Sequence, residues 1–109
     1  DPTMARVAAF EPRTGRWTRL PKVPGRRGGT GAAGTGRSIV SVGGEAPQGT
    51  IRTVYRYDVK RRRWSRLPNL PTARHGLGVA AVGGKVYVIG GGTSPGLSVS
   101  QANESLAVR

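Results

Sequence analysis

The sequence predicts an all-β fold of short antiparallel strands, and three observations support this prediction. Clusters rich in Val, Ile and Tyr recur along the chain, and 18 Gly and 8 Pro punctuate the sequence between them. No segment is assigned to a helix. The chain also aligns with itself at a shift of 47 residues, which indicates a repeated unit of structure.

The internal repeat is the strongest of these observations. Over positions 7–44, 14 of 38 residues are identical in the copy 47 residues later, and no gap is needed. Phe10 falls on Tyr57, which keeps the aromatic character. Among the identical positions are Trp17 with Trp64, Arg27 with Arg74, Gly43 with Gly90, and Gly44 with Gly91. Chance does not produce such agreement, so the two copies encode the same unit.

Nine strands follow from the apolar clusters and the residues that separate them. The run 86–89 is continuously apolar, as expected for a strand covered on both faces, whereas 53–57 and 63–67 alternate as outer strands do. The Gly-Gly pairs are predicted to supply positive φ or a close backbone approach. The predicted strands are 6–10, 16–20, 29–34, 38–42, 53–57, 63–67, 77–82, 86–89 and 104–108.

The repeated residues resemble the kelch motif. In that motif a strand ends in Gly-Gly, a variable loop follows, and an aromatic residue precedes an acidic one before a Trp and a Pro-rich turn. The second repeat carries each part, including Gly90 and Gly91, Tyr57 before Asp58, and Trp64. The resemblance covers almost the whole chain. It implies four-stranded blades of a kelch-type β-propeller, similar to the central domain of galactose oxidase.

The resemblance also implies an incomplete ring of about two blades. Residues 1–26 would form the outer half of one blade, 27–73 a complete blade, and 74–109 the inner part of the next. Two blades leave apolar faces open, so we expect the remaining blades in further sequence of the same polypeptide. The alternative is a homo-oligomeric ring, in which residues 6–20 of one subunit complete the sheet formed by residues 77–89 of another.

The chain is strongly basic, with a formal net charge of +13. Such a charge attracts anionic partners. Many of the cations, however, lie in or beside predicted outer strands, where charge prevents edge-to-edge pairing of sheets. No aromatic platform accompanies them, because the Trp and Tyr residues are needed inside the blades, so nucleic acid is not the expected partner. The cations of these strands are Arg13, Arg16, Arg19, Lys60, Arg61, Arg62, Arg63 and Arg66.

Several kinds of chemistry find no support in the sequence. The chain has no Cys and one His, so no disulfide, thiolate or carbohydrate-oxidase copper site can be assembled within it. The Gly-rich runs lack the Lys and Ser or Thr of a P-loop. No stretch approaches the ~20 apolar residues of a membrane helix. We therefore predict no catalytic, metal or cofactor site, no membrane span and no particular compartment.

A binding site is expected where two sets of loops meet. In the propellers that this chain resembles, the connections between blades and the loops after Gly-Gly lie on one face and contact partners. Arg27 and Arg74, at equivalent positions, could grip a carboxylate or phosphate bidentately, or could pair structurally with a neighbouring blade. The residues that the resemblance places on this face are Arg26, Arg27, Arg74, His75, Glu45, Arg52, Ser94 and Gln101.

These observations favour a non-catalytic binding or scaffold module. Its partner would be a protein or a small anionic ligand engaged through the face between blades. The alternative is part of a propeller enzyme acting on a sugar, similar to sialic acid epimerases or carbohydrate oxidases, with catalytic groups in further blades. Glu45 and Glu104 are the acids near the loops from which such an enzyme could draw here.

Overall fold

The computed structural model describes residues 3–108, and this part of the chain contains nine strands and no helix. Each strand overlaps one of the nine predicted segments, so the all-β prediction is confirmed. No helix long and apolar enough to cross a membrane is found among these residues. The strands are β1 (Val7–Glu11), β2 (Arg16–Leu20), β3 (Gly31–Gly34), β4 (Ser38–Ala46), β5 (Gly49–Asp58), β6 (Arg63–Leu67), β7 (Gly78–Val82), β8 (Lys85–Ile89) and β9 (Asn103–Ala107).

The strands form three antiparallel sheets. Sheet 1 pairs β1 with β2, sheet 2 has the order β3-β4-β5-β6, and sheet 3 has the order β7-β8-β9. Strands that follow one another in the chain are neighbours in each sheet, as expected for hairpin-connected blades. Sheet 2 is a four-stranded blade. Within residues 3–108 the three sheets do not close into a ring, which confirms the predicted incomplete propeller.

The region after the first Gly-Gly pair differs from the prediction. Residues 45–52 are expected to form a variable loop, but β4 continues through Gly43 and Gly44 to Ala46, and β5 begins at Gly49. A tight turn at residues 47–48 joins them. The register shifts between Val42 and Gly44, so the glycines form a β-bulge instead of ending the strand. The kelch resemblance predicts that the strand ends at Gly-Gly, whereas the strand in the structure runs through both glycines to Ala46.

The Gly-Gly pairs combine both predicted roles. Gly43 and Gly44 have φ of 62° and 122°, and Gly90 and Gly91 also have positive φ. A Cβ at Gly43 would lie 2.6 Å from the carbonyl oxygen of Arg74. That same carbonyl accepts a hydrogen bond of 2.9 Å from Gly44 N. Only glycine lets the connection that leads into sheet 3 approach sheet 2 this closely.

The apolar core lies between sheets 2 and 3. Val40 and Val42 of β4 face Val86 and Val88 of β8, and all four are buried. Val54 of β5 and Leu70 of the β6–β7 connection complete the cluster. Valine dominates this core because β-branched side chains suit the pleated surface of stacked sheets.

Equivalent aromatic pairs mark sheets 1 and 2. Tyr57 and Trp64 are cross-strand partners with ring centroids 5.2 Å apart, and Phe10 and Trp17 repeat the pair at 4.9 Å. Tyr57 is buried, and Trp64 Nε1 donates to the Pro21 carbonyl of the preceding connection. Trp17 is 70% exposed. The two indoles thus share one place in the repeat, but only the second is half-buried and hydrogen-bonded to a neighbouring connection.

The sheet that the expected homo-oligomeric ring would complete, that of residues 77–89, has a third strand from its own chain. β9 pairs with β8, with Val86 opposite Leu106 and Val88 opposite Glu104. Residues 6–20 of a second copy would therefore have to pair beyond β9 or replace it, and the homo-oligomeric ring stays a prediction.

The close approach at the bulge can be tested with two glycine variants. Gly43→Ala and Gly15→Ala both force alanine into positive φ, which costs about 1–2 kcal/mol. Nothing lies within 4 Å of a Cβ at Gly15, whereas one at Gly43 meets Arg74 O. We expect Gly43→Ala to lower the free energy of unfolding by a further ~1–3 kcal/mol in urea titrations. Equal losses for the two variants would contradict the close approach.

Candidate binding face

Strand connectivity gathers the predicted binding loops at one end of the sheets. Because neighbouring strands run antiparallel, successive connections alternate between the two ends. We call one end the loop face; it consists of the connections 21–30 and 68–77, the hairpin tip 45–50 and the loop 90–102. We call the other end the turn end; it consists of the turns 12–15, 35–37, 59–62 and 83–84.

Backbone hydrogen bonds bind the parts of the loop face together. Gly28 and Glu45 exchange two bonds of 2.9 and 2.8 Å, and His75 and Gly92 exchange two of 3.0 and 2.9 Å. Gly76 N donates to Gly29 O at 2.7 Å, which connects the two pairs. The connections that precede sheets 2 and 3 are therefore fixed to each other, and the side chains they carry are held in place.

Three of the predicted binding residues meet in one group, which we call the His75 cluster: Glu45, His75 and Ser94. His75 Nε2 donates to the Ser94 carbonyl at 2.8 Å. His75 Nδ1 lies 3.7 Å from Glu45 Oε1, a distance of charge attraction when the ring is protonated. Glu45 Oε2 accepts from Gly96 N at 3.1 Å. The cluster therefore holds the loop after the second Gly-Gly pair against the β4–β5 hairpin.

The loop that contains Ser94 is further anchored along its length. Thr50 Oγ1 donates to the Thr93 carbonyl at 3.0 Å, and Ser98 Oγ donates to the Ser94 carbonyl at 2.6 Å. Between and beyond these anchors, Leu97 and Val99 are almost completely exposed, at 107% and 92%. Neither residue is among the predicted binding residues. The sequence does contain a signal for them, which is a pair of apolar side chains in an otherwise polar, glycine-rich loop.

The remaining exposed members of the predicted set are not joined to the His75 cluster by hydrogen bonds. Arg26 Nη2 donates to the Thr3 carbonyl at 2.9 Å, and Arg52 Nη2 donates to the Pro71 carbonyl at 3.0 Å. Gln101 is exposed at the end of the β8–β9 loop. Arg26 and Arg52 each retain donors, so they contribute positive charge to the loop face without forming one site with His75.

Arg27 does not lie on the surface as expected, because its guanidinium points into sheet 2. Nε donates to Gly25 O at 3.1 Å, and Nη1 donates to Gly43 O at 3.2 Å. Nη2 donates to Thr53 Oγ1 at 2.9 Å, and the guanidinium carbon lies 5.1 Å from the centre of the Tyr55 ring. Burial lowers the pKa of Arg27, and Tyr55 opposes this change. Arg27 therefore has a structural role, since it links its own turn to β4 and β5.

Arg74 repeats this arrangement in sheet 3 and is fully buried. Nε donates to the Thr72 carbonyl, and Nη1 donates to Gly90 O at 2.7 Å and to Ala102 O at 3.0 Å. Nη2 donates to Val88 O and forms an ion pair of 2.7 Å with Glu104 Oε1. The hydrogen-bond donors of its guanidinium are thus used within sheet 3 and its connections. Arg27 and Arg74 are therefore neither exposed for contact with a ligand nor paired with a neighbouring blade, which are the two roles that the sequence predicts; each bonds within its own repeat.

The residue that contacts the buried arginine from the third strand differs between sheets 2 and 3. Tyr55 is the cross-strand partner of Ser41, and Glu104 is the partner of Val88; Ser41 and Val88 are equivalent in the 47-residue repeat. Tyr55 offers Arg27 the face of a ring, whereas Glu104 offers Arg74 a carboxylate. Glu104 is therefore a structural counter-charge, and its carboxylate is not available as a general acid or base. Thr72 Oγ1 donates to its second oxygen at 2.8 Å.

These contacts define what the loop face can do chemically. Burial raises the pKa of Glu104, but hydrogen bonds from Arg74 and Thr72 outweigh this and leave the pKa below its usual value. Glu104 therefore stays ionised and paired at neutral pH. Among residues 3–108, no group of three or more His, Cys, Asp or Glu side chains is arranged to hold a metal ion. The face offers hydrogen bonds, positive charge and exposed apolar side chains.

The structural role of the buried arginines predicts a large difference between neighbours in sequence. Arg27→Ala and Arg74→Ala each leave buried carbonyl groups without donors, and we expect each to lower the free energy of unfolding by about 3–5 kcal/mol. Arg26→Ala removes an exposed side chain and is expected to cost less than ~1 kcal/mol. Thermal and urea unfolding measure all three. Unchanged unfolding of the Arg27 and Arg74 variants would return both residues to a ligand-binding role.

The Glu104 pair predicts a specific dependence on pH. Since the pKa of Glu104 is lowered in the folded state, its stabilising effect is present above about pH 4.5 and is lost as the pH falls through the folded-state pKa. At pH 7, Glu104→Gln should lower the free energy of unfolding by about 1–3 kcal/mol. At pH 3 the difference from the wild type should shrink. An equal difference at both pH values in urea titrations would argue against the charged pair.

Comparison with known proteins agrees with this architecture. The family profile described as the kelch motif matches residues 26–71 and 73–103, which together make up more than half of the chain. A search of curated proteins found no match. The two matched stretches contain the two buried arginines and the two Gly-Gly pairs with which they bond. The chain therefore belongs to the kelch-repeat family.

Proposed function

We propose that this chain is a non-catalytic binding module that engages a protein partner through its loop face. Kelch repeats are commonly used in protein binding. The partner chemistry that suits this chain is an acidic protein surface with an apolar recess. A small anionic ligand is the alternative occupant of the same face.

The observation that carries the proposal is the exposure of Leu97 and Val99 on an anchored loop. Apolar side chains exposed singly need no explanation, but these two lie close together at the tip of one loop. Burying a Leu or Val side chain against a partner is worth about 1.5–3 kcal/mol. A protein with a complementary recess would therefore gain from contact with this tip.

The anchoring of the loop reduces the cost of binding. Hydrogen bonds from Thr50, His75 and Ser98 hold the loop backbone at Thr93 and Ser94, on the N-terminal side of the tip. Ser100 Oγ donates to the Gly91 carbonyl at 2.6 Å, which holds the other side. A loop that is ordered before binding loses less conformational entropy in the complex. The tip is thus presented by a scaffold, as binding loops on rigid folds are.

Charge supports an acidic partner. The chain has a net charge of +13, and Arg26 and Arg52 are exposed at the loop face. Positive potential accelerates encounter with an acidic surface and disfavours basic competitors. The apolar tip would supply affinity and the surrounding arginines would supply orientation.

The alternative of a sugar-converting enzyme receives less support from the acids of this face. Glu104 is committed to Arg74 and Thr72, and one oxygen of Glu45 accepts from the backbone of Gly96. A general acid or base must reach the proton that it transfers. The loop face has more of the features of a contact surface than of a catalytic site.

Selection from a random-peptide library displayed on phage tests the proposal. Peptides enriched on the wild-type chain should contain acidic residues around an apolar anchor. Leu97→Asp should weaken their binding about tenfold or more, because it places a charge in the apolar contact. Fluorescence anisotropy with labelled peptides measures the change. The control is Ala9→Asp, which alters an exposed apolar residue of β1 and should leave binding unchanged.

Two results would count against the proposed face. One is equal peptide affinity for the wild type and Leu97→Asp. The other is a loss of affinity in Ala9→Asp alone, which would move the contact to sheet 1. The unfolding temperature of both variants should stay within a few degrees of the wild type, since both positions are exposed.

A further inference from the structure

The turn end carries a cavity that has no part in the loop face. It is a cleft of about 530 Å³ between the hairpin turns of sheets 2 and 3. Its walls come from the β3–β4 turn, the β5–β6 turn and the β7–β8 turn. Sites for small molecules occupy clefts of about 300–1,000 Å³ and are common where two structural units meet. The size and the position of this cleft both fit such a site.

The cleft collects positive charge from separate parts of the chain. Arg37 comes from the β3–β4 turn, Arg56 and Arg61 come from β5 and the turn after it, and Lys85 comes from the start of β8. Asp58 is the one carboxylate that residues 3–108 contribute to the lining. These residues give the cavity four cations against one carboxylate, a net charge of +3. The four cations line one concave surface.

The carboxylate of the cleft is already in use. Asp58 Oδ1 accepts a hydrogen bond of 2.8 Å from the backbone N of Arg61 and so closes the β5–β6 turn. This bond is the main cause that lowers the pKa of Asp58, and the charges of Arg61 and Arg56 act in the same direction. Asp58 thus has a structural task in the turn. The surrounding cations exceed it in number, and residues 3–108 contribute no other acid to the lining.

A second depression adjoins the first and shares its central residues. Arg37, Asp58 and Arg61 line both cavities, and Lys60 is added in the second, which has a volume of about 570 Å³. The two cavities together form one basic groove with Arg37 and Arg61 where they meet. A ligand that fills it would carry more than one negative group, because a single anion would leave cations of one half without a counter-charge.

We propose that this groove is a binding site for a small molecule that carries an oligophosphate group. Arginine guanidinium groups match phosphate oxygens with paired hydrogen bonds, and lysine adds a point charge. The hydroxyl groups of Thr35 and Ser38 also line the cleft and can donate to the same oxygens. The part of the chain that the structure describes places no aromatic side chain in the lining on which a base could stack, so the groove suits an oligophosphate better than single-stranded nucleic acid.

Inorganic tripolyphosphate is the probe that tests this site. Isothermal titration calorimetry with the wild-type chain, at about 0.15 M salt, should show binding at least tenfold tighter than that of orthophosphate. Amide chemical shifts measured by NMR should change at Ser38, Arg61 and Gly84 and stay constant at Ser94 and Gly96. This mapping uses the wild type and does not depend on any variant. It also separates the groove from the loop face, so either site can fail alone.

Two double variants of equal charge distinguish the groove from general attraction. Arg37→Gln with Arg61→Gln removes two cations of the groove, and we expect tripolyphosphate affinity to fall about tenfold or more. Arg13→Gln with Arg19→Gln removes two exposed cations of sheet 1 and should change the affinity less than about threefold. Equal losses in both variants would overturn the proposal, as would shift changes spread over the whole basic surface. Tighter binding of a single-stranded oligonucleotide than of tripolyphosphate would also overturn it.

Discussion

The buried arginine of each repeat is the interaction on which the rest of the architecture depends. Taking a guanidinium out of water is costly unless its donors find acceptors, and Arg27 and Arg74 find them in backbone carbonyls. Those carbonyls lie at the Gly-Gly pair, at the strand after it and in the turn before the arginine itself. One side chain therefore fixes three segments that are distant in sequence. The guanidinium thus links the Pro-rich turn, the Gly-Gly pair and the segment that forms the third strand of the sheet.

This dependence explains how the two repeats can diverge without losing their common fold. Tyr55 and Glu104 occupy equivalent positions, yet one stabilises its arginine through a ring and the other through a carboxylate. Both satisfy the same requirement, which is a favourable environment for a buried cation. The backbone acceptors are the constant element, since they are independent of side-chain identity. The gapless 47-residue alignment pairs Tyr55 with Ala102, so sequence comparison of the two repeats does not bring Tyr55 and Glu104 together.

The strands could be predicted from sequence because their signals are local. Strand formation is indicated over short stretches by Val and Ile clusters and by the aromatic pairs Phe10 with Trp17 and Tyr57 with Trp64. The 47-residue repeat adds identical residues at matching positions of the two copies. The site was harder to predict. Glu45, His75 and Ser94 are predicted binding residues, and they meet in one cluster. The burial of Arg27 and Arg74, by contrast, results from contacts with residues 16 to 30 positions away in the chain. The continuation of β4 through its glycines likewise depends on a bulge that pairs with β5, which composition does not encode.

The unequal surroundings of the two indoles give the chain built-in optical reporters. Trp64 is hydrogen-bonded to Pro21 across the junction of sheets 1 and 2, whereas Trp17 faces water on the outer side of sheet 1. The fluorescence emission of Trp64 should change when sheets 1 and 2 separate. The emission of Trp17 should change when another molecule or a further sheet covers the exposed side of sheet 1. Separation of the sheets and coverage of the open side are thus distinguishable by fluorescence, without any attached dye.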